Sequence, residues 1–154
     1  MRRTDRQIND RATIDRIIAA AEVCRLGLSN RDHPYIVPVS FGYDGQAIYF
    51  HTALEGMKIE YMIANPSVCF EMETDVRVVP NEDVACKWGH AYSSVIGFGT
   101  VHEVTDPIGR QAAMNQVMQH YSSRQWEFDP ETFAQVRIWC ISIEQVTGKR
   151  RENK

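Results

Sequence analysis

The chain has 154 residues, 44% of them hydrophobic and 24% charged, with a formal net charge of -3. That length encloses a core without disulfides or a structural metal, and that charge excludes the broad basic surface of a nucleic-acid or acidic-lipid binder. No apolar run approaches the roughly 20 residues of a spanning helix, and MRRTDRQIND has no hydrophobic segment behind its basic residues, so it does not read as a secretory signal.

Cys24, Cys69, Cys86 and Cys140 form no CxxC pair and sit beside apolar neighbours, the pattern of buried free thiols. The expectation is one cytoplasmic domain over residues 1–154, with no nucleic-acid or membrane partner. Any nucleotide it takes must be held by a few local groups.

Ile14, Ile17, Ile18 and Ala21 follow one helical face and predict a helix over about 10–22, capped by Asp10, with Gly27 marking the exit. The period then changes. Tyr35 to Tyr43 reads as a strand, Asp44-Gly45 as a hairpin turn, and Ala47 to Thr52 as the returning strand. Pro38 cannot donate to a ladder, which places its strand at an edge or a bulge. A second helix follows from about Glu55 to Ala64, with Ile59, Met62 and Ile63 as its apolar stripe and Asn65-Pro66 as its stop.

Val68, Phe70 and Met72 alternate with polar neighbours as a half-buried strand, and residues 74–90 read as a long connection. Val95 to Val104 is a further strand, in which Gly97 and Gly99 leave one face bare for a ligand or another backbone. Asp106-Pro107 opens a helix to about Tyr121 that is expected to bury Ile108, Ala112, Val117, Met118 and Tyr121. Asp129-Pro130 opens one more turn, and a last strand over Val136 to Ile143 precedes a basic tail at 149–154. This order predicts a mostly antiparallel barrel with peripheral helices.

The stretch from Ile48 to Lys58 carries the chemistry. A strand ends at Thr52, passes through a loop with Gly56, and enters a helix with Lys58 in its first turn. Free amides at a helix N-terminus together with a lysine suit one phosphate group, and a threonine hydroxyl adds a donor. The same residues also occur at ordinary strand-to-helix connections, so the pattern alone leaves both readings open.

Phe50-His51-Thr52, Gly56-Met57-Lys58-Ile59, Asn65-Pro66, Tyr92 to Gly99 and Val146 to Lys149 together resemble the pyridoxamine-phosphate-oxidase-like flavin proteins, within them the nitroimidazole-resistance branch. The resemblance implies a mainly β fold with peripheral helices, a six-stranded antiparallel split barrel. It also implies a homodimer with FMN in a groove between subunits, and reduction of a small-molecule electron acceptor such as a nitroaromatic. Carried over by position, Pro38, Val39 and Ser40 line the isoalloxazine edge. Phe50, His51 and Thr52 line the flavin and the way to its phosphate, Lys58 pairs with the phosphate, and Ser94 and Val95 lie beside it.

Two departures bear on activity. Met57 stands where the vitamin B6 oxidases have an arginine beside the phosphate lysine, and no histidine follows Trp139, so their C-terminal Arg-x-His pair is missing. Oxidation of pyridoxamine phosphate is therefore not expected. His51 alternates away from Phe50 and Thr52, and its ordinary pKa near neutrality suits proton transfer beside a reduced flavin. It reads equally as an interface histidine without a catalytic part. FAD or haem in place of FMN stays open as well, with His51 as an axial ligand in the haem case. Trp88 and Trp139 read as core or interface aromatics.

Overall fold

The computed structural model describes residues 4–152. Its strands are β1 (Gln7–Ile8), β2 (Cys24–Asn30), β3 (His33–Val39), β4 (Gly42–Tyr43), β5 (Ala47–Thr52), β6 (Ser67–Val79), β7 (Gly89–Glu103) and β8 (Arg137–Arg151). Its helices are α1 (Arg11–Ala20), α2 (Met57–Ala64), α3 (Pro107–Ser122) and α4 (Pro130–Phe133), with single 3-10 turns at Thr4–Arg6 and Ala85–Lys87. The strands form one antiparallel sheet in the order β3-β2-β6-β7-β8-β5-β4, with β1 paired to β8. Two of the strands are dipeptides, so the framework is the six long ones.

Two ends of this sheet order meet through α2. Only residues 53–56 separate β5 from α2, yet α2 packs on β2, and its Tyr61 ring lies 5.4 Å from Tyr35 of β3. At roughly 3.5 Å per residue so short a link cannot cross a flat sheet of this width. The sheet therefore curls into a barrel. The helix α1 supplies Ile14, Ile17 and Ile18 to the core, and Asp10 caps it by accepting from the Thr13 amide at 2.9 Å. It is tied to β4 by Tyr43, whose hydroxyl donates to Asp15 Oδ1 at 2.6 Å.

The faces of β5 are cleanly divided. Ile48, Phe50 and Thr52 point inward, opposite Ile141, Trp139 and Arg137 of β8. Tyr49 and His51 point outward, opposite Cys140 and Ile138, on the side where α3 packs. Gly42 permits that approach, since a Cβ there would overlap the α3 backbone at Gln116 and Val117.

Several expectations are corrected. Gly27 is not a helix exit but lies inside β2, a strand whose mix of Arg25, Gly27, Ser29 and Asn30 hid its alternation. The run Tyr35 to Tyr43 is two strands, broken at Ser40 and Phe41. Pro38 does sit on an edge strand, β3. The connection expected over residues 74–90 is shorter, residues 80–88 with one 3-10 turn: β6 and β7 extend as a ribbon to Val79 and Gly89, around a bulge where Asp75 takes φ 58°. The last strand likewise runs on to Arg151, so the expected tail is strand up to that point, and residues 153–154 lie outside the described residues.

Burial differs on three elements. Ile63 of α2 is 64% exposed, and α3 buries Ala113, Asn115 and Val117 while Ile108 is 84% exposed and Tyr121 is also exposed. Cys86 is exposed rather than buried. Of the two alternatives for Gly97 and Gly99, a ligand or another backbone, the close approach is to the protein itself, to a side chain at Gly97 and to backbone at Gly99. A Cβ at Gly97 would overlap the buried Phe70 ring, and one at Gly99 would overlap the Ser142 carbonyl, so both bare positions are filled by the protein itself.

Candidate functional site: the turn from β5 into α2

The end of β5 is fixed from inside the barrel. Trp139 Nε1 donates to the Thr52 hydroxyl at 3.0 Å, and that hydroxyl donates to the Ala53 carbonyl at 2.7 Å. Thr52 is 3% exposed, so its hydroxyl proton is committed to the protein and does not face solvent. What the turn offers outward is backbone and charge. Gly56 takes φ 136°, with nothing within 4 Å of where a Cβ would stand. It begins α2 without any side-chain cap, and the amides of Ile59 and Glu60 both return to its carbonyl. Among the described residues the amides of Met57 and Lys58 have no such partner. Lys58, half-buried, stands in this first turn.

His51 lies next to that charge. Burial first, and then the positive charge of Lys58, lower its pKa from the ordinary 6.5. Its Nδ1 is buried without a hydrogen-bond partner. Both facts favour a neutral imidazole at neutral pH, which weakens the expectation of an imidazolium proton donor there.

The other expected residues separate into two groups. Phe50 and Val95 are fully buried core side chains, able to offer a ligand only their backbone. Val39 is buried in β3, with Pro38 and Ser40 exposed on either side. Ser94 lies on the outer face of β7 opposite Glu73 and Lys149, whereas β5 meets only residues 137–142 of β8. The fold thus sets His51 beside Lys58 at the turn that follows Thr52, and leaves Ser94 and Val95 well along the sheet.

Two features escaped the sequence. Trp139 is the residue that positions Thr52, a pairing visible only once β5 and β8 are in register. The second is a row across four strands on the outer face: Ile36, Gly27, Cys69 and Phe98 are register neighbours. Ile36 is 71% exposed, Phe98 50% and the nearby Ile96 44%. Cys69, expected as a buried free thiol, is half-buried in this row, and the glycine opposite it flattens the row.

A curled antiparallel sheet of six long strands with peripheral helices defines a split-barrel protein, and the uncapped helix start beside a lysine is its candidate anion site. The chain belongs to the pyridoxamine 5'-phosphate oxidase family, whose model matches residues 10–150. The fold is similar to that of a protein of Bacteroides thetaiotaomicron VPI-5482 provisionally assigned to 5-nitroimidazole antibiotic resistance. That match has 29% identity, a TM-score of 0.83, and covers 93% of this chain and 85% of that one. A FAD-binding protein from Mesorhizobium loti matches at 26% identity and TM-score 0.70, covering 96% and 98%. A FAD- and haem-binding protein from Mycobacterium smegmatis shares the fold at 16% identity and TM-score 0.81, covering 96% and 74%. Among curated proteins, an uncharacterized protein of Rhizobium meliloti (strain 1021) is 34% identical over 56 residues, and the match spans 36% of each chain. No helix among the described residues is long and apolar enough to cross a membrane.

Proposed function

We propose that this protein is an FMN-dependent reductase of small acceptors such as nitroimidazoles or other nitroaromatics, working as a homodimer. The observation that carries the reading is the uncapped start of α2 at Gly56 with Lys58 beside it. The residues there fit one terminal phosphate: two unclaimed amides, a backbone that approaches closely because no Cβ intervenes, and one full positive charge. A single-phosphate site of this kind favours FMN over FAD. The likeness to the Bacteroides protein supports the choice of acceptor.

Bound flavin supplies the hydride and electron transfer. The chain's own residues bind and orient. Lys58 and the α2 amides hold the phosphate, Trp139 and Thr52 keep the end of β5 in place, and the backbone of Pro38, Val39 and Ser40 lies along an exposed sheet edge suited to hydrogen bonds with a planar ring. His51, as a neutral imidazole, donates or accepts one hydrogen bond at the mouth of the site. Ser94 and Val95 lie too far along the sheet to join these residues within one protomer, which supports a site completed by a second copy across the Ile36–Phe98 face.

Haem is the less supported cofactor. An iron-bound histidine ordinarily gives its other ring N–H to a fixed acceptor, and Nδ1 of His51 has none. The test is an absorption spectrum of the purified protein followed by anaerobic turnover of a nitroimidazole with a chemical reductant. Paired flavin bands and amine formation are expected. A lone Soret band, or flavin without any nitroreduction, overturns the reading.

A further inference from the structure

Far from α2, the last residues of β8 meet the N-terminal segment and the tip of the β6–β7 ribbon around a cleft of about 980 Å³. Four cations from three separate segments line it: Arg6, Lys87, Arg150 and Arg151, against the carboxylates of Asp5 and Glu152. The excess is positive in a chain whose net charge is -3. Asp5 pairs with Arg6 and Glu152 with Arg150, each at 3.9 Å, so the unbalanced positive charge of the cleft sits on its other two cations. Among the described residues Lys87 and Arg151 have no ion-pair partner.

The cations are placed rather than scattered. Arg150 Nε donates to the buried Ser93 hydroxyl at 3.0 Å, which fixes its guanidinium at the wall. The Arg151 guanidinium lies on the backbone of Gly89, where any Cβ would overlap it. Tyr92 adds a phenol held by Lys149 and Arg6, whose hydrogen bonds and charge lower its pKa from 10.0. A smaller cleft of about 380 Å³, lined also by Arg77 and Tyr92, continues from the same Arg150 and Arg151.

We propose that this cleft is a binding site for a small molecule bearing a phosphate or pyrophosphate group. The Arg151 fork from β8 and Lys87 from the 3-10 turn reach the same cleft from different segments, so together they can engage several oxygens of a tetrahedral anion, which a single carboxylate would not satisfy. The volume leaves room for more than the anion, so the source is either a free polyanion or a nucleotide that carries one.

The test uses the flavin-loaded protein in low salt and calorimetric titration with inorganic pyrophosphate and, separately, with ADP. The control is the double variant Lys87→Ala, Arg151→Gln, in which both changed side chains lie at the cleft surface. The parent protein is expected to bind with an affinity that falls steeply as salt rises, and the double variant to bind at least tenfold more weakly with its flavin absorbance unchanged. ADP binding more tightly than pyrophosphate identifies a nucleotide, and equal binding identifies the free anion. Either order supports the site. No binding of either probe to the parent, equal binding to the double variant, or loss of flavin from it overturns the proposal, the last because the cations would then belong to the flavin site.

Discussion

Trp139 and Thr52 are joined by a hydrogen bond buried on both sides, and it positions the strand end from which the candidate site begins. Thr52→Val keeps the shape and removes the hydroxyl, leaving the indole N–H and the Ala53 carbonyl without their partner. A buried polar group left unmet costs about 1–3 kcal/mol. The urea midpoint of Thr52→Val should fall accordingly, while Thr52→Ser stays near the parent. Equal midpoints for parent and valine variant would show that the bond contributes nothing.

Gly97 concerns packing, not a ligand. Gly97→Ala places a methyl group into the ring of Phe70, which is fully buried and cannot swing away. Overpacking of this kind costs about 1–3 kcal/mol. The loss should appear in thermal unfolding, be partly recovered by adding Phe70→Leu, and leave flavin affinity unchanged. A variant of parental stability that binds flavin poorly would restore the ligand reading.

These two sites show where sequence was sufficient and where it was not. Caps and turns are local, so Asp10, Asp44-Gly45, Asn65-Pro66 and Asp106-Pro107 were legible, and so was the alternation of Val68, Phe70 and Met72. Gly97 was ambiguous because a missing side chain does not say what fills the gap. The ribbon ends at residues 74–79 and 89–90 were illegible because these strand ends are largely exposed on both faces, and so carry no alternation, whereas the connection between them was legible. In the site, Lys58 and Gly56 could be placed from the β-to-α pattern, whereas the Trp139–Thr52 pair depends on register between strands 87 residues apart.

His51 gives a pH dependence. Burial and the charge of Lys58 hold its folded pKa below the unfolded 6.5. As pH falls through 6.5 the unfolded chain takes up the proton first, so stability is lost between that value and the lower folded pKa, and above it the group has no effect. His51→Gln should therefore flatten the slope of stability against pH just below 6.5. Lys58→Met should move the His51 imidazole titration, followed by NMR, to higher pH. An unchanged titration would mean that the lysine does not act on the ring.

The row Ile36, Gly27, Cys69 and Phe98 should be the dimer face, because an apolar strip of this kind on a small barrel needs a cover. Phe98→Arg combined with Ile36→Arg should convert a species of twice the chain mass into one of the chain mass by sedimentation at micromolar concentration, with loss of flavin. A parent protein that is already monomeric and holds flavin would contradict a shared site.

The affinity of FMN for Lys58→Ala tests most directly whether the cofactor phosphate lies against Lys58 at the start of α2. Fluorescence titration of the apoprotein with FMN should show binding weakened roughly thirtyfold relative to the parent, about 2 kcal/mol for a partly buried charge-assisted contact. Riboflavin, which lacks the phosphate, should bind parent and variant alike. Equal FMN affinity in the two proteins would place the phosphate elsewhere and contradict the site described for this chain.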